Sequence, residues 1–252
     1  MFRKLGATAI LLLAFACGSE SQSVPDPRAL ADGAIVKALA GGTLDSIPTG
    51  GDFVRVIKFV VPAGYSFPSS QHVPGFVYVE SGLHRLTLKG QEPINLAAGE
   101  ATFHSSVAHT HLNPGPTPST WYFIAIWNIS ALSLKLVDPH ARDVFRTDAI
   151  SATQLPQGTY SEVLRRVTLS DAGHSEAHRF GGLSLFFVLQ GSLVITTDHG
   201  RVDLAPDEGK VFAPNVDLQE SNQSSGPTVY LEMLTTAPGQ EFEIPLVRPP
   251  GG

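Results

Sequence analysis

The chain reads as an all-β protein of two tandem barrels behind an N-terminal signal and linker. Three observations carry that reading. First, one stretch of strand-and-turn sequence occurs twice. GYSFPSSQHVPGFVYVESG and LTLKGQEPINLAAGEATFHSSVAHTHLN fall between Gly64 and Asn113, and HRFGGLSLFFVLQG and LVITTDHGRVDLAPDEGKVFAPNVDLQESN between His178 and Asn222. Gly82 and Gly191 stand 109 positions apart, while Gly99, His104 and His109 stand 110 positions from Gly209, Pro214 and Gln219. Such regularity marks two copies of one β-unit. Second, β-branched and aromatic runs recur at roughly 8–12-residue intervals between turns, as in sandwiches and barrels, with 24 Gly and 19 Pro in the chain. Third, the part of the chain after the signal is long enough for two domains of roughly 100 residues each.

Taken in order, residues 1–16 read as a signal peptide. Arg3 and Lys4 precede an apolar run from Leu5 to Ala16, too short to cross a hydrocarbon core of roughly 30 Å as a helix. The run ends Ala14-Phe15-Ala16-Cys17, with small residues placed for a signal peptidase. Cys17 is the only cysteine, so no intrachain disulfide can form. This segment resembles a bacterial lipoprotein signal, apart from Ala14 where such sites usually carry Leu. The resemblance implies an acylated Cys17 and export, with a lipid anchor in the cell envelope, in the outer membrane or facing the periplasm. Acyl chains anchor a protein without a spanning helix. Residues 17–28 hold the anchor cysteine and a linker of low apolar content.

The first barrel is expected over 29–137. It opens on ALADGAIVKALA (29–40), read as a short helix stopped by Gly41-Gly42. Strands follow at 53–61, 76–80, 83–88, 94–96, near 101–104 and at 120–127. The last, TWYFIAIW, is apolar on both faces, as for a strand lying between two layers. Residues 138–158, with Asp138-Pro139-His140 and Pro156-Gln157-Gly158, read as the inter-domain connection. The second barrel is expected over 159–240, with strands at 162–169, 183–190, 193–197, 201–204, 210–213 and 228–234. Asp198-His199-Gly200 marks a hairpin turn. Residues 241–252, rich in Pro and Gly, read as a surface tail.

Both repeats resemble cupins, and the chain is similar to a bicupin: two cupin jelly-roll barrels in tandem. Cupins carry G(x)5HxH(x)3–4E(x)6G and G(x)5PxG(x)2H(x)3N, whose histidines and glutamate bind a divalent metal. Here the glycine and apolar framework is kept and the ligand positions are eroded. In the first copy Gly75 stands in the glutamate position, the first-motif histidines reduce to a displaced His72, His104 stands for the proline, and His109 and Asn113 keep the H(x)3N spacing. In the second copy His178 fits the first histidine, Phe180 the second, Ser184 the glutamate and Gln219 the last histidine. The resemblance implies dioxygenase-like or isomerase-like chemistry on a small molecule.

Strand geometry adds an independent reading. Residues two apart on a strand share a face, so His109 and His111 point the same way, and His84 sides with Leu86 and Leu88. Three neutral imidazoles suit Zn, Fe, Mn or Ni and leave open positions, while the lack of a carboxylate disfavours hard cations. The candidate metal ligands are therefore His72, His109 and His111, with His84 and His104 as alternates and Asn113 or a backbone carbonyl as orienting partners. His84 also fits a hydrogen-bonded core histidine, His72 a loop cap and His104 a surface turn. No metal is expected in the second barrel, where His174, Glu176 and His178 read as a solvated turn. No catalytic residue is assigned.

The net charge is −6 with scattered basic residues, which excludes a nucleic-acid footprint. No phosphate loop, nucleophile elbow or Cys-based zinc pattern occurs. The expectation is a membrane-anchored bicupin with a metal and small-molecule site in its first barrel. The alternatives are a non-catalytic ligand-binding or a structural envelope bicupin. Homo-oligomerisation is left open.

Overall fold

The computed structural model describes residues 33–45, 47, 51–247 and 250. The signal segment, Cys17 and the linker lie outside the described residues. Among the described residues the regular structure consists of strands and one 3-10 turn. In chain order they are β1 (Ala34–Leu44), β2 (Asp52–Val61), β3 (Gly75–Ser81), β4 (Leu83–Leu88), β5 (Ile94–Ala97), β6 (Ala101–His104), β7 (His109–Leu112) and β8 (Ser119–Asn128). The 3-10 turn Ile129–Ala131 and β9 (Ala141–Arg146) follow. The second half holds β10 (Tyr160–Leu169), β11 (His178–Phe180), β12 (Leu183–Gln190), β13 (Leu193–Thr197), β14 (Gly200–Leu204), β15 (Gly209–Phe212), β16 (Asp217–Asn222), β17 (Thr228–Thr236) and β18 (Glu243–Pro245).

Each half is a pair of sheets. The first uses β6-β3-β8-β2-β9 and β5-β4-β7; the second uses β1-β10-β17-β12-β15 and β14-β13-β16-β11-β18. The two five-stranded sheets that carry β8 and β17 pack outer face to outer face. Tyr122, Ile124 and Ile126 of β8 meet Leu185, Phe187, Leu231 and Met233 there. Their neighbours Trp121, Phe123 and Ala125 point the other way, into the first barrel. This double burial is why TWYFIAIW is apolar throughout, and each such large side chain stabilises by roughly 1.5–3 kcal/mol.

Three segments depart from expectation. The part of 29–40 that is described is strand, not helix: β1 pairs antiparallel with β10 from Ala34↔Leu169 to Leu44↔Tyr160. Tertiary pairing overrides the helix propensity of its alanines. Gly42 suits the strand because a Cβ there would run into the Phe103 ring of the first barrel. β9 falls in the segment read as connection, yet pairs with β2 in the first barrel. β18 falls in the segment read as tail, yet pairs with β11.

The repeat register also shifts. Asn113 Nδ2 donates to the carbonyls of Val61, Pro62 and Thr117, and Asn222 Nδ2 to those of Leu169, Ser170 and Gly226. The two asparagines make equivalent bonds and stand 109 positions apart, so His109 corresponds to Leu218 and His111 to Glu220, not to Gln219 and Ser221. Gly99 (φ 83°) donates its N–H to Val79 O, and Asp207 (φ 64°) donates to Val188 O. Asp207, not Gly209, is thus the counterpart of Gly99. His104 pairs with Gly75, and Phe212 pairs with Ser184, so Phe212 rather than Pro214 answers His104. The second copy is one residue shorter before this turn and one longer after Phe212. Gly82 and Gly191 do coincide: φ is 76° and 80°, and a Cβ would lie 2.7 Å from Pro118 O or 2.6 Å from Thr228 Oγ1. Only glycine meets both demands.

Candidate metal centre

Five histidines converge inside the first barrel. On β7 burial alternates, with His109 and His111 inward. On β4 His84 faces inward with Leu86 and Leu88. His104 closes β6 and is buried, not the surface turn residue it resembles in sequence. His72 precedes β3 and is half-buried. Its segment is tied to β7 by reciprocal bonds, Ser70 N–H to His109 O and His109 N–H to Ser70 O, both 2.9 Å. The structure brings His72, His109 and His111 together, with one ligand nitrogen from each all within 4.8 Å of one another.

The protons can be placed from the carbonyls. Nδ1 of His72 lies 3.0 Å from Val73 O, Nδ1 of His104 3.0 Å from Ser105 O and Nδ1 of His109 2.6 Å from Val107 O. A carbonyl only accepts, so each Nδ1 carries hydrogen and each Nε2 is the nitrogen left to face the site. The orienting partners are thus backbone carbonyls; Asn113 instead ties together the loops around β7. Nε2 of His109 and Nε2 of His72 face one another at 3.0 Å, and Nε2 of His104 is buried without a partner. Burial pushes His72 and His104 down to about 4, so these two rings are neutral at neutral pH. Two ring nitrogens facing each other at 3.0 Å share a proton or a cation, and two metal–nitrogen bonds of roughly 2.1 Å span that distance.

His84 forms a second layer. Its Nε2 lies 3.0 Å from Nδ1 of His111, which orients that ring as hydrogen-bonded partners orient metal-bound imidazoles. Burial pushes His84 down to about 3 and holds His111 well below the ordinary histidine value. The His111 ring also stacks on Trp121, with centroids 4.8 Å apart. The carboxylate of the cupin pattern is sterically barred. A Cβ at Gly75 would lie 2.7 Å from both Ala125 Cβ and Ile124 O.

A cavity of about 330 Å³ opens beside the histidines. His72 and His111 form one wall and Phe59, Phe67, Trp121 and Trp127 most of the rest. Phe59 stacks flat on Trp121 at 3.8 Å, with Phe67 edge-on.

The second barrel holds a different buried cluster, in which the sequence reading missed the key residues. His178 is buried on β11, not part of a solvated turn, whereas His174 and Glu176 are exposed. His178, Glu220 and Glu232 bring ligand atoms within 4.8 Å of one another, a second group that could hold an ion. Arg165 already pairs with one of these carboxylates, donating to Glu232 at 2.5 Å and to Glu243 at 2.8 Å. Ser175 Oγ donates to Glu220, and Nε2 of His178 lies 3.5 Å from Glu220 Oε1. Burial pushes His178 down, but the Glu220 and Glu243 carboxylates outweigh it and hold the ring above its usual value. Burial raises Glu232, partly offset by Arg165. Leu218, Glu220 and Asn222 alternate inward along β16. That period-two pattern was the one available signal for Glu220.

No protein-family model and no curated protein matches the chain. Solved structures do. An oxalate decarboxylase of Lactobacillus farciminis, in a formate complex, is 10% identical over 79% of this chain and 81% of its own, with a TM-score of 0.57. A variant oxalate decarboxylase of Bacillus subtilis is 10% identical over 77% of this chain and 71% of its own, with a TM-score of 0.58. AerE from Microcystis aeruginosa is 16% identical over 79% of this chain and 99% of its own, with a TM-score of 0.51. The architecture is that of two tandem cupin jelly-roll barrels, and at these identities the likeness establishes the fold alone.

Proposed function

We propose that the first barrel binds a divalent transition metal on His72, His109 and His111 and holds a small molecule in the adjoining cavity. The observation that carries this is the 3.0 Å approach of two Nε2 atoms on rings whose Nδ1 hydrogens are committed to backbone carbonyls. The donor set is all nitrogen, which suits Zn, Fe, Mn or Ni over harder cations. When bound, the metal supplies Lewis acidity and open positions for an oxygen ligand. The chain's own residues do the rest. Val73, Ser105 and Val107 fix the tautomers, His84 orients His111, and His104 adds a further bare nitrogen at the rim. Trp121 and Phe123 wall the site against water. Cupin likeness directs the chemistry toward dioxygenase-like or isomerase-like reactions.

One observation favours a second reading, ligand binding without turnover: no carboxylate, lysine or arginine lines the cavity to act as an acid or base. Cys17 as a lipid anchor belongs to the same proposal and rests on the signal sequence. Replacing Cys17 with Ser should move the protein from carbonate-washed membranes to the soluble fraction; a Cys17→Ser protein that still sediments refutes the anchor.

The metal is tested by elemental analysis of the full chain purified without chelators and then offered Zn, Mn, Fe(II) or Ni. The expected result is about one equivalent per chain, falling to background in His109→Ala and kept in Gln219→Ala. A wild-type protein that takes up none of the four, or a His109→Ala protein that loads normally, overturns the proposal.

A further inference from the structure

We infer that the ligand of the first barrel is an uncharged, mostly hydrocarbon molecule of one or two rings, presenting an oxygen to the histidines. This rests on the proposed metal site and names its substrate class. The cavity of about 330 Å³ is roughly twice the 150 Å³ that accommodates benzene. Its lining is Ile57, Leu136, five aromatic side chains and few polar groups, among them Ser69, Ser70 and the two histidines. No charged side chain lines it. The cation beside Trp127 is already paired. Arg55 is buried with its guanidinium 5.2 Å from the Trp127 ring, and donates to Asp143 at 2.6 and 2.9 Å. A carboxylate entering here would be desolvated without a partner other than the metal, whereas an apolar ring gains by the same desolvation. The flat walls of Trp121 and Trp127 and the edge of Phe67 suit stacked and edge-on ring contacts. Leu136 edges the cavity, and its neighbours Leu134 and Val137 are exposed at 57% and 96%. The approach is therefore apolar as well. This sets the chain apart from its structural neighbours named for oxalate, a small dianion.

The test is calorimetric titration of the full chain with 2-naphthol, 2-naphthoate and oxalate. Metal-loaded and metal-free protein are compared, and Leu136→Asp is compared with wild type. The two naphthyl probes share a ring system and differ in charge. Saturable 2-naphthol binding is expected in both metal states, with 2-naphthoate at least about tenfold weaker and oxalate undetectable without metal. Leu136→Asp should weaken 2-naphthol by about tenfold while metal content and melting temperature stay near wild type. Two results overturn the inference: 2-naphthoate binding as tightly as 2-naphthol, or Leu136→Asp binding 2-naphthol unchanged. Failure of the metal site reads differently. It would leave the 2-naphthol preference intact in a protein that takes up no metal.

Discussion

Where the first barrel carries His72, His84, His104, His109 and His111, the second carries Phe180, Leu193, Phe212, Leu218 and Glu220, as the strand pairings align them. The backbone plan is shared, down to the asparagines that tie the loops and the glycines that turn them. The interiors solve opposite problems. The second barrel buries charge and compensates it from within, setting the Arg165 guanidinium between Glu232 and Glu243. The first holds clustered imidazoles at its centre and leaves His84 Nδ1 and His104 Nε2 buried without a partner. A self-neutralised network is complete as folded. A ring of bare imidazoles is complete only with something bound. The difference teaches that one backbone plan can enclose either packing and internal ion pairs or a cluster of histidines that could hold an ion.

The comparison can be broken at its strongest point. Arg165→Met leaves Glu232 and Glu243 buried without their cation and should cost about 3–5 kcal/mol of stability, measured by urea unfolding. His109→Ala in metal-free protein should cost far less. If the two cost the same, the barrels do not differ in the way described. Metal sharpens the contrast next. At a hundredfold excess over its Kd, a metal bound only by the folded state adds about 2.7 kcal/mol. That gain should appear as a raised melting temperature in wild type and Glu220→Gln and be absent in His109→Ala.

A third effect belongs to the junction of the barrels. Glu162 is fully buried on β10, with Thr235 Oγ1 donating to one oxygen and the other unpartnered. Burial pushes it up to about 7 from an ordinary 4.5. The folded state therefore favours the protonated form. Its contribution is present below pH 4.5 and is lost as pH rises through about 7. Glu162→Gln should accordingly be near neutral at pH 5 and stabilise by about 2 kcal/mol at pH 8. A gain that is equal at both pH values would remove the burial argument. The smallest effect concerns the link across the barrels at Asp207, which receives Lys58, Arg142 and Tyr122. Asp207→Asn should cost less than about 1 kcal/mol, and less still in high salt. A larger, salt-independent loss would mean that this contact holds the two sheets together.

Much of the frame was legible. Alternation placed His84, His109 and His111 on inner faces, and the two-sided apolarity of β8 announced a second layer. Local pattern could not show β1 crossing to the second sheet, because the deciding contact is with a strand more than a hundred residues away. Nor could it show the repeat register. Compensating one-residue changes on either side of Phe212 keep the overall offset near 109 while moving every residue between. His178, Glu220, Glu232 and Arg165 come from four separate strands, and each alone resembles an ordinary polar residue near a turn. Gly75 hid its meaning too, since only its crowding against Ala125 and Ile124 explains why no carboxylate stands there.

The placement of β1 has a consequence in time. Its partner β10 begins at Tyr160, so β1 pairs only with chain more than a hundred residues away, and such long-range pairing is slow. Until it pairs, an apolar strand has no ladder to join, and such unpaired edges are templates for aggregation. A fragment that ends after β9 would hold β1 in that state permanently, and one that begins at β10 would lack it. The two barrels look separable by their repeat, yet neither half is whole without β1 and β10 in one molecule.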